Sequence, residues 1–161
     1  MSSSEQSVAF IGLGNMGAPM VANLCAKGFR VRAFDVSTQA LQKAVDVGCT
    51  AAASAVEAVA AADVVVTMLP NGEIVESLLI DEQCLLEEMP SGALLVDCST
   101  VAASTSLRVH QCADSLGVRC LDAPVSGGVG AAKAGTLAFM CGGTEEAFAA
   151  AQSVLGAMGA N

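Results

Sequence analysis

The chain has 161 residues, of which 53% are hydrophobic and 14% charged, and this length suits a single buried core. No run approaches the roughly 20 apolar residues that a membrane-spanning helix needs, and a formal net charge of −9 excludes the basic stripe of a nucleic-acid-binding protein. The seven cysteines are odd in number and lack C-x-x-C spacing, which argues against a disulfide framework and against a zinc site. We therefore expect a soluble protein of a reducing compartment, without membrane or nucleic-acid partners.

Short apolar runs alternate with longer amphipathic stretches, as in β-α-β units around a parallel sheet that is buried on both faces. We expect a disordered tail over residues 1–7 and one domain over residues 8–161. The first predicted strands span residues 8–12, 31–34 and 63–69. The first predicted helices span residues 16–27 and 37–47, and a third begins at Ser54, which forms a capping box with Glu57.

The second half of the chain continues this alternation. Its predicted helices span residues 73–89, 102–116 and 145–158, the last one capped by Thr144. Its predicted strands span residues 93–97, 119–121 and 137–141. The glycine-rich residues 126–130 are predicted to be irregular. The predicted fold class is α/β, a Rossmann-type doubly wound and mostly parallel sheet in a single domain.

A G-x-G-x-x-G motif closes the first predicted strand and opens the first helix, which is the context that dinucleotide binding requires. The motif consists of Gly12, Leu13, Gly14, Asn15, Met16 and Gly17. Its first glycine permits a tight turn, its second lets a pyrophosphate approach the backbone, and its third lets the helix lie close to the strand. The helix N-terminus then offers unpaired N–H groups to the anion. The motif predicts a dinucleotide site; the alternative is an ordinary strand-to-helix turn.

Asp35 stands at the end of the second predicted strand, about 20 residues beyond the motif. A carboxylate at that place accepts hydrogen bonds from the adenosine ribose hydroxyls and repels a 2′-phosphate. We therefore predict NAD rather than NADP as the cofactor. The alternative role for Asp35 is to cap the helix that begins near Ser37.

Missing residue types narrow the enzyme class. The chain has no tyrosine, which excludes the Tyr-Lys pair of short-chain dehydrogenases. Its single histidine, His110, falls in the middle of a predicted helix, where we expect a solvated or packed side chain rather than a general base. Lys133 follows the glycine-rich residues 126–130, and we expect it to be a solvated loop lysine.

Four segments of the chain resemble the β-hydroxyacid dehydrogenase family, in order and over the whole length. The first is FIGLGNMGAPM at residues 10–20, with Asn23 and Leu24 after it. The second and third are MLPN at residues 68–71 and DCST at residues 97–100. The fourth is DAPVSGG at residues 122–128, followed by the pair at 130–131 and by GTL at 135–137.

The resemblance implies an oxidoreductase that interconverts a short 3-hydroxy acid and its semialdehyde by hydride transfer, with 3-hydroxyisobutyrate as the first substrate to test. It implies that Leu69 and Pro70 line the adenosine side of the cofactor and that Thr100 lies near the nicotinamide. It also implies that Ser126, Gly127 and Gly128 hold the substrate carboxylate through a hydroxyl and main-chain N–H groups. The alternative for these three residues is a simple glycine turn.

The family's catalytic lysine and its helical C-terminal domain are expected beyond Asn161, so the resemblance places no catalytic residue in this chain. We expect the chain alone to be inactive, whether it is a fragment or a natural short form, and the whole enzyme to be a homo-oligomer in the cytoplasm or, in a eukaryote, the mitochondrial matrix. Without a second domain, the apolar residues 155–158 are expected to be exposed. Two alternatives stay open: a non-catalytic dinucleotide-binding module, and an NADP-linked glyoxylate or semialdehyde reductase of the same family. Such reductases usually carry an Asn-Arg pair where this chain has Asp35-Val36.

Overall fold

The computed structural model describes residues 6–160, so residues 1–5 of the predicted tail lie outside the described residues. The strands are β1 (Ser7–Ile11), β2 (Arg30–Phe34), β3 (Thr50–Ala51), β4 (Val64–Thr67), β5 (Leu94–Asp97), β6 (Arg119–Asp122), β7 (Val125–Ser126), β8 (Ala138–Phe139) and β9 (Gly142–Gly143). Seven of them form one sheet in the order β3-β2-β1-β4-β5-β6-β9, and β7 pairs with β8 separately. The pairs from β3 to β6 are parallel, and β9 runs antiparallel to β6.

Helices cover both faces of this sheet. One face is covered by α1 (Gly17–Ala26), α2 (Thr38–Asp46) and α8 (Glu145–Met158). The other face is covered by α3 (Ala55–Val59), α4 (Gly72–Glu76), α5 (Leu85–Glu88) and α6 (Ala103–Ser115). Alternate residues of β1 enter the two cores, with Val8 and Phe10 on one side and Ala9 and Ile11 on the other. The predicted fold class, a doubly wound Rossmann-type sheet in one domain, is confirmed.

The single helix predicted over residues 73–89 is wrong, because the chain divides there into three pieces. After α4, residues Ser77–Asp81 form a π-helical turn, and α5 begins only after Cys84, whose φ is +50°. The break lets Leu85 and Leu86 become fully buried, with α5 packed against α3. Hydrophobic periodicity could not reveal this division, because the buried leucines recur at a spacing that a continuous helix would also satisfy.

Two predictions near the C-terminus are also corrected. Residues 126–130 are not irregular, since α7 (Gly128–Ala134) begins within them and packs against α1. The alanines that follow the glycines favour a helix, and Gly127 provides the turn before it with a φ of +127°. The predicted strand at 137–141 is shortened to β8, with β9 following it as a separate strand.

The apolar residues at the end of α8 were expected to be exposed, and they are buried. Leu155, Ala157 and Met158 join the core on the α1 side of the sheet. The helix lies directly on β5 and β6, so these side chains pack against the sheet of this domain. The exposed apolar residue of α8 is instead Phe148, in its first half.

Other predictions agree with the structure except at element ends. Ser54 accepts a hydrogen bond from Glu57 N, and Thr144 accepts one from Ala147 N, as N-caps do. The Glu57 carboxylate accepts from Ala53 N rather than from Ser54 N, so only one of the two bonds of the predicted capping box is present. The edge strand β3 was not predicted, since it has only two residues. All seven cysteines are free thiols. Over residues 6–160 no helix is both long and apolar enough to cross a membrane, and no cluster of potential metal-binding side chains occurs in that range.

Candidate functional site

A cleft of about 720 Å³ opens at the carboxyl ends of β1, β2 and β4. β1 lies between β2 and β4, so the chain leaves β1 at the place where the strand order reverses, and open α/β sheets bind ligands at such points. The predicted residues that line the cleft are Gly12, Gly14, Asn15, Met16, Gly17, Asp35, Leu69 and Pro70. Leu13 is buried behind them. The structure thus brings most of the predicted cofactor residues to one place.

Residues 12–17, here called the glycine loop, form the first wall of the cleft. A Cβ on Gly12 would overlap the Met68 carbonyl, and Gly12 has a φ of +102°. A Cβ on Gly17 would overlap the carbonyl oxygen of Gly12, so α1 lies directly against the end of β1. Gly14 differs, since it lines the cleft and no heavy atom lies within 4 Å of the place its Cβ would take. The backbone at Gly14 is therefore open to a ligand, as a pyrophosphate requires.

Asp35 holds the glycine loop from the side of β2. Its Oδ2 accepts a hydrogen bond from Leu13 N at 2.7 Å, and its Oδ1 accepts one from Ser37 N at 2.8 Å. Ser37, not Asp35, caps α2, since its hydroxyl accepts from Ala40 N. Each carboxylate oxygen has two lone pairs, so Asp35 keeps acceptor capacity at the cleft after both main-chain bonds are made.

The floor of the cleft rests on a buried polar network between β4 and β5. Asp97 Oδ1 accepts hydrogen bonds from Thr67 Oγ1 at 2.9 Å and from Ser99 N at 3.1 Å. The Ser99 hydroxyl in turn accepts from Leu69 N at 2.9 Å, which positions the residue that lines the cleft. Burial raises the pKa of the Asp97 carboxyl, although the bonds from Ser99 and Thr67 oppose this.

Residues 72–83, here called the helical wall, close the cleft opposite the glycine loop. This wall begins at α4, whose first turn is capped by Asn71 through its Oδ1 and Ile74 N at 2.9 Å. It contributes Glu73 and Glu82 to the cleft, while Asp35 contributes a third carboxylate from the opposite side. No lysine or arginine is among the lining residues. The cleft as a whole is therefore acidic.

The predicted substrate residues lie outside this cleft lining, at the start of α7. Ser126, Gly127 and Gly128 are exposed, and both glycines have positive φ values, +127° and +69°. Asn23 of α1 ties their helix to the glycine-loop side of the fold, since its Nδ2 donates to the Ala132 carbonyl at 2.7 Å. Asn23 belongs to the first segment that resembles the family, and the sequence does not predict its contact with α7.

The remaining predicted residues have simpler positions. Thr100 is exposed just beyond Ser99 and is not part of the cleft lining. His110 packs, as one of the two expected outcomes, and its Nε2 lies within hydrogen-bond distance of Asp122 Oδ1, at 2.8 Å. Lys133 is exposed, yet it lies in the last turn of α7 rather than in a loop.

Sequence reasoning missed the residues that support the cleft from behind. Thr67, Asp97 and Ser99 are buried polar residues, and they follow or end apolar strands, which is the signal that could have indicated them. Arg108 was also missed. It bonds two carboxylates of the helical wall from α6, and no local pattern indicates a contact across some 30 positions of the chain.

Comparison with known proteins agrees with this geometry. Residues 7–161 match the family described as the NAD binding domain of 6-phosphogluconate dehydrogenase. The chain belongs to this family. Because this match covers nearly the whole chain, the chain is an NAD-binding domain of this family.

The relatives that this chain resembles include two dehydrogenases of one bacterial species. A 3-hydroxyisobutyrate dehydrogenase of Pseudomonas aeruginosa is 49% identical over 154 residues, which are 96% of this chain and 52% of that protein. An NAD-dependent L-serine dehydrogenase of the same species is 46% identical over 156 residues, 97% of this chain and 52% of that protein. The solved 3-hydroxyisobutyrate dehydrogenase of Mycobacterium tuberculosis with L-serine superimposes with a TM-score of 0.92 at 47% identity, over 96% of this chain and 52% of that one. The chain thus spans about half the length of the relatives it matches.

Proposed function

We propose that the cleft of this NAD-binding domain holds NAD between the glycine loop and the helical wall and discriminates against NADP. The observation that carries the proposal is the position of Asp35, which lines the cleft and keeps acceptor capacity for a ribose hydroxyl. Glu73 and Glu82 add negative charge on the other wall, which opposes an additional phosphate. The open backbone at Gly14 and the uncapped N-terminus of α1 suit the pyrophosphate.

The test is a titration of the purified chain with NADH and, separately, with NADPH. The chain has no tryptophan, so the fluorescence of the reduced nicotinamide can be followed without a protein signal. We expect saturable binding of NADH that is at least about tenfold tighter than that of NADPH. With NADPH, the Asp35 carboxylate would lose its hydrogen bond to the ribose 2′-hydroxyl and would face the negative charge of the 2′-phosphate. Tighter binding of NADPH would refute the discrimination, and binding of neither would refute the site.

For the whole enzyme, we propose the oxidation of a short 3-hydroxy acid to its semialdehyde, with 3-hydroxyisobutyrate first and L-serine as the rival substrate. NAD supplies the hydride acceptor when bound. The Ser126 hydroxyl and the main-chain N–H groups of Gly127 and Gly128 would hold the carboxylate, and Thr100 would stand near the nicotinamide. The exposure of these groups and their tie to α1 through Asn23 support this role.

The substrate is tested by fusion of this chain to the unmatched half of each Pseudomonas aeruginosa relative, followed by assays with both hydroxy acids. We expect turnover in a fusion and none in the chain alone, because the proposed acid/base lysine belongs to the other half. In the active fusion, Ser126→Ala should raise KM for the hydroxy acid more than it lowers kcat. NADH binding without turnover in either fusion would favour the non-catalytic module.

Light scattering of the active fusion tests the proposed homo-oligomer.

A further inference from the structure

One turn of the helical wall is wound more widely than an α-helix. In the turn Ser77–Asp81, the N–H groups of Glu82 and Gln83 donate to the Ser77 carbonyl at 2.9 and 3.2 Å, so the hydrogen bonds span more than four residues. Such turns are rare, and they occur frequently at functional sites. Because the i→i+4 bond is the ordinary helical pattern, we expect a contact outside the turn to favour the wider winding.

Arg108 of α6 spans this turn from one end to the other. Its Nη1 donates to Glu76 Oε1 at 3.0 Å, just before the turn, and to Asp81 Oδ2 at 2.8 Å, at the last residue of the turn. Its Nη2 donates to Asp81 Oδ1 at 2.6 Å, which makes the contact with Asp81 bidentate. Thr105, one helical turn earlier in α6, donates to Glu76 Oε2 at 3.1 Å. The Arg108 guanidinium lowers the pKa of the Asp81 carboxyl, which keeps that partner charged.

The turn held in this way also shapes the cleft. Ser77 and Leu78 lie within it, Glu82 and Gln83 follow it, and all of them line the cleft. A return to α-helical register would remove one residue from the turn and rotate everything beyond it by about 100°. The residues after the turn would then present different side chains to the ligand.

We propose that Arg108 is a positioning residue for the cofactor: by bridging Glu76 and Asp81 it holds the π-helical turn in register against α6 and so shapes the helical wall. Arg108 is not part of the cleft lining and acts through the turn. The proposal rests on the proposed NAD site for its consequence, but the register of the turn itself does not depend on a ligand.

The first test follows amide hydrogen exchange by NMR in the free chain. In Arg108→Gln we expect the amides of Glu82 and Gln83 to exchange about three- to tenfold faster, because the bonds that close the turn open more often. Arg108→Lys keeps the positive charge but loses the paired N–H donors of the guanidinium, so its amides at Glu82 and Gln83 should exchange more slowly than those of Arg108→Gln. Arg119→Gln is the control, since Arg119 is an arginine away from the cleft that donates to a main-chain carbonyl, that of Gly92, rather than to the helical wall.

The second test measures NADH affinity in the same proteins. We expect Arg108→Gln to raise the Kd about three- to tenfold, Arg108→Lys to raise it less, and Arg119→Gln to leave it unchanged. In the Arg108→Gln background, Asp81→Asn should add little, because the contact it removes is already lost. Additive effects of these two changes on the Kd for NADH would contradict an interaction between Arg108 and Asp81.

The two readouts separate the possible failures. Unchanged amide exchange at Glu82 and Gln83 in Arg108→Gln would show that the Arg108 bridge does not hold the turn, whether or not the chain binds NADH. Faster amide exchange with an unchanged Kd for NADH would show that the Arg108 bridge holds the turn but does not shape the cleft. If the unmodified chain binds no NADH, the proposed function fails, whereas the exchange data still decide whether Arg108 holds the turn.

Discussion

The two walls of the cleft are built by opposite means. The glycine loop is held by main-chain contacts so close that Gly12 and Gly17 have no room for a Cβ. The helical wall is held from outside by side chains, namely the cap of Asn71 and the bridge of Arg108 to Glu76 and Asp81. The first wall resists change because any added atom collides, and the second depends on contacts that solvent can replace.

This difference predicts unequal responses to substitution. A change at a closely packed position of the glycine loop, Gly12 or Gly17, should alter folding and binding together, because a Cβ there meets neighbouring backbone atoms. A change in the helical wall should alter binding with a smaller loss of stability, because its supporting groups are largely exposed. The following variants test that expectation, from the largest effect to the smallest.

Gly17→Ala should be the most damaging change. The new methyl group would overlap the Gly12 carbonyl and press on the ring of Phe10 at about 3.3 Å, so α1 must move away from β1. We expect the free energy of unfolding to fall by about 3 kcal/mol, near the upper end for overpacking, and the Tm to fall by about 10 °C. Thermal and denaturant unfolding measure this effect.

Gly14→Ala is the matched control within the same loop. A Cβ there meets no protein atom within 4 Å, so stability should be unchanged, while the added methyl group should obstruct the ligand and weaken NADH binding. Equal loss of stability in both variants would show that the loop is not packed as described.

Asp35→Asn should have the next largest effect, and on the ligand more than on the fold. Asp35 uses one oxygen to accept from Leu13 N and the other to accept from Ser37 N, whereas asparagine has only one acceptor oxygen. The substitution also removes the negative charge that disfavours a 2′-phosphate. We expect the Kd for NADH to rise about tenfold and the preference over NADPH to shrink, since a charge-assisted bond contributes about 1.5–3 kcal/mol. Asp46→Asn, which alters an exposed carboxylate bonded to Gln42, should leave both affinities unchanged. An unaltered NADH:NADPH ratio in Asp35→Asn would remove Asp35 from the selectivity.

How well each wall could be predicted follows from the same contrast. The glycine loop and Asp35 are encoded locally, at the ends of two apolar strands, and the structure brings these predicted residues together at the cleft. The helical wall depends on Arg108, which lies 27 and 32 positions beyond its two carboxylate partners in the chain, so the hydrophobic pattern of the wall predicts one long helix instead of a π-helical turn. The prediction for residues 126–130 is wrong for another reason. Glycine lowers the helix propensity of this segment, but the packing of Ala132 against α1 outweighs that preference.

Asn71→Ala tests the residue that caps the first helix of the helical wall. The cap it removes contributes about 1 kcal/mol, and the first turn of α4 that it orders carries Glu73 and Ile74 into the cleft. Ser54→Ala removes an equivalent cap from α3, a helix of the same length that does not line the cleft. We expect the two variants to lose similar stability, and only Asn71→Ala to weaken NADH binding, by about two- to threefold. A parallel loss of affinity in Ser54→Ala would mean that stability alone controls the Kd.

Asp97→Asn should change stability least, by about 1 kcal/mol or less, yet its pH dependence is informative about the floor between the walls. The two bonds from Thr67 and Ser99 both reach Oδ1, which asparagine keeps, so the network can persist without the charge. Burial raises the pKa of Asp97 above the ordinary 3.8, so the folded state binds the proton more tightly than the unfolded state does. Its contribution to stability is therefore complete below about pH 3.8 and is lost as the pH rises through the raised pKa.

The free energy of unfolding of Asp97→Asn minus that of the unmodified chain should thus increase as the pH rises across that window and then stay constant, because only the unmodified chain loses stability there. The exposed Asp114→Asn variant provides the baseline for the loss of one carboxylate elsewhere in the chain. A difference that is flat with pH would indicate that solvent reaches Asp97, and the floor beneath Leu69 would then resemble the exposed helical wall rather than the packed glycine loop.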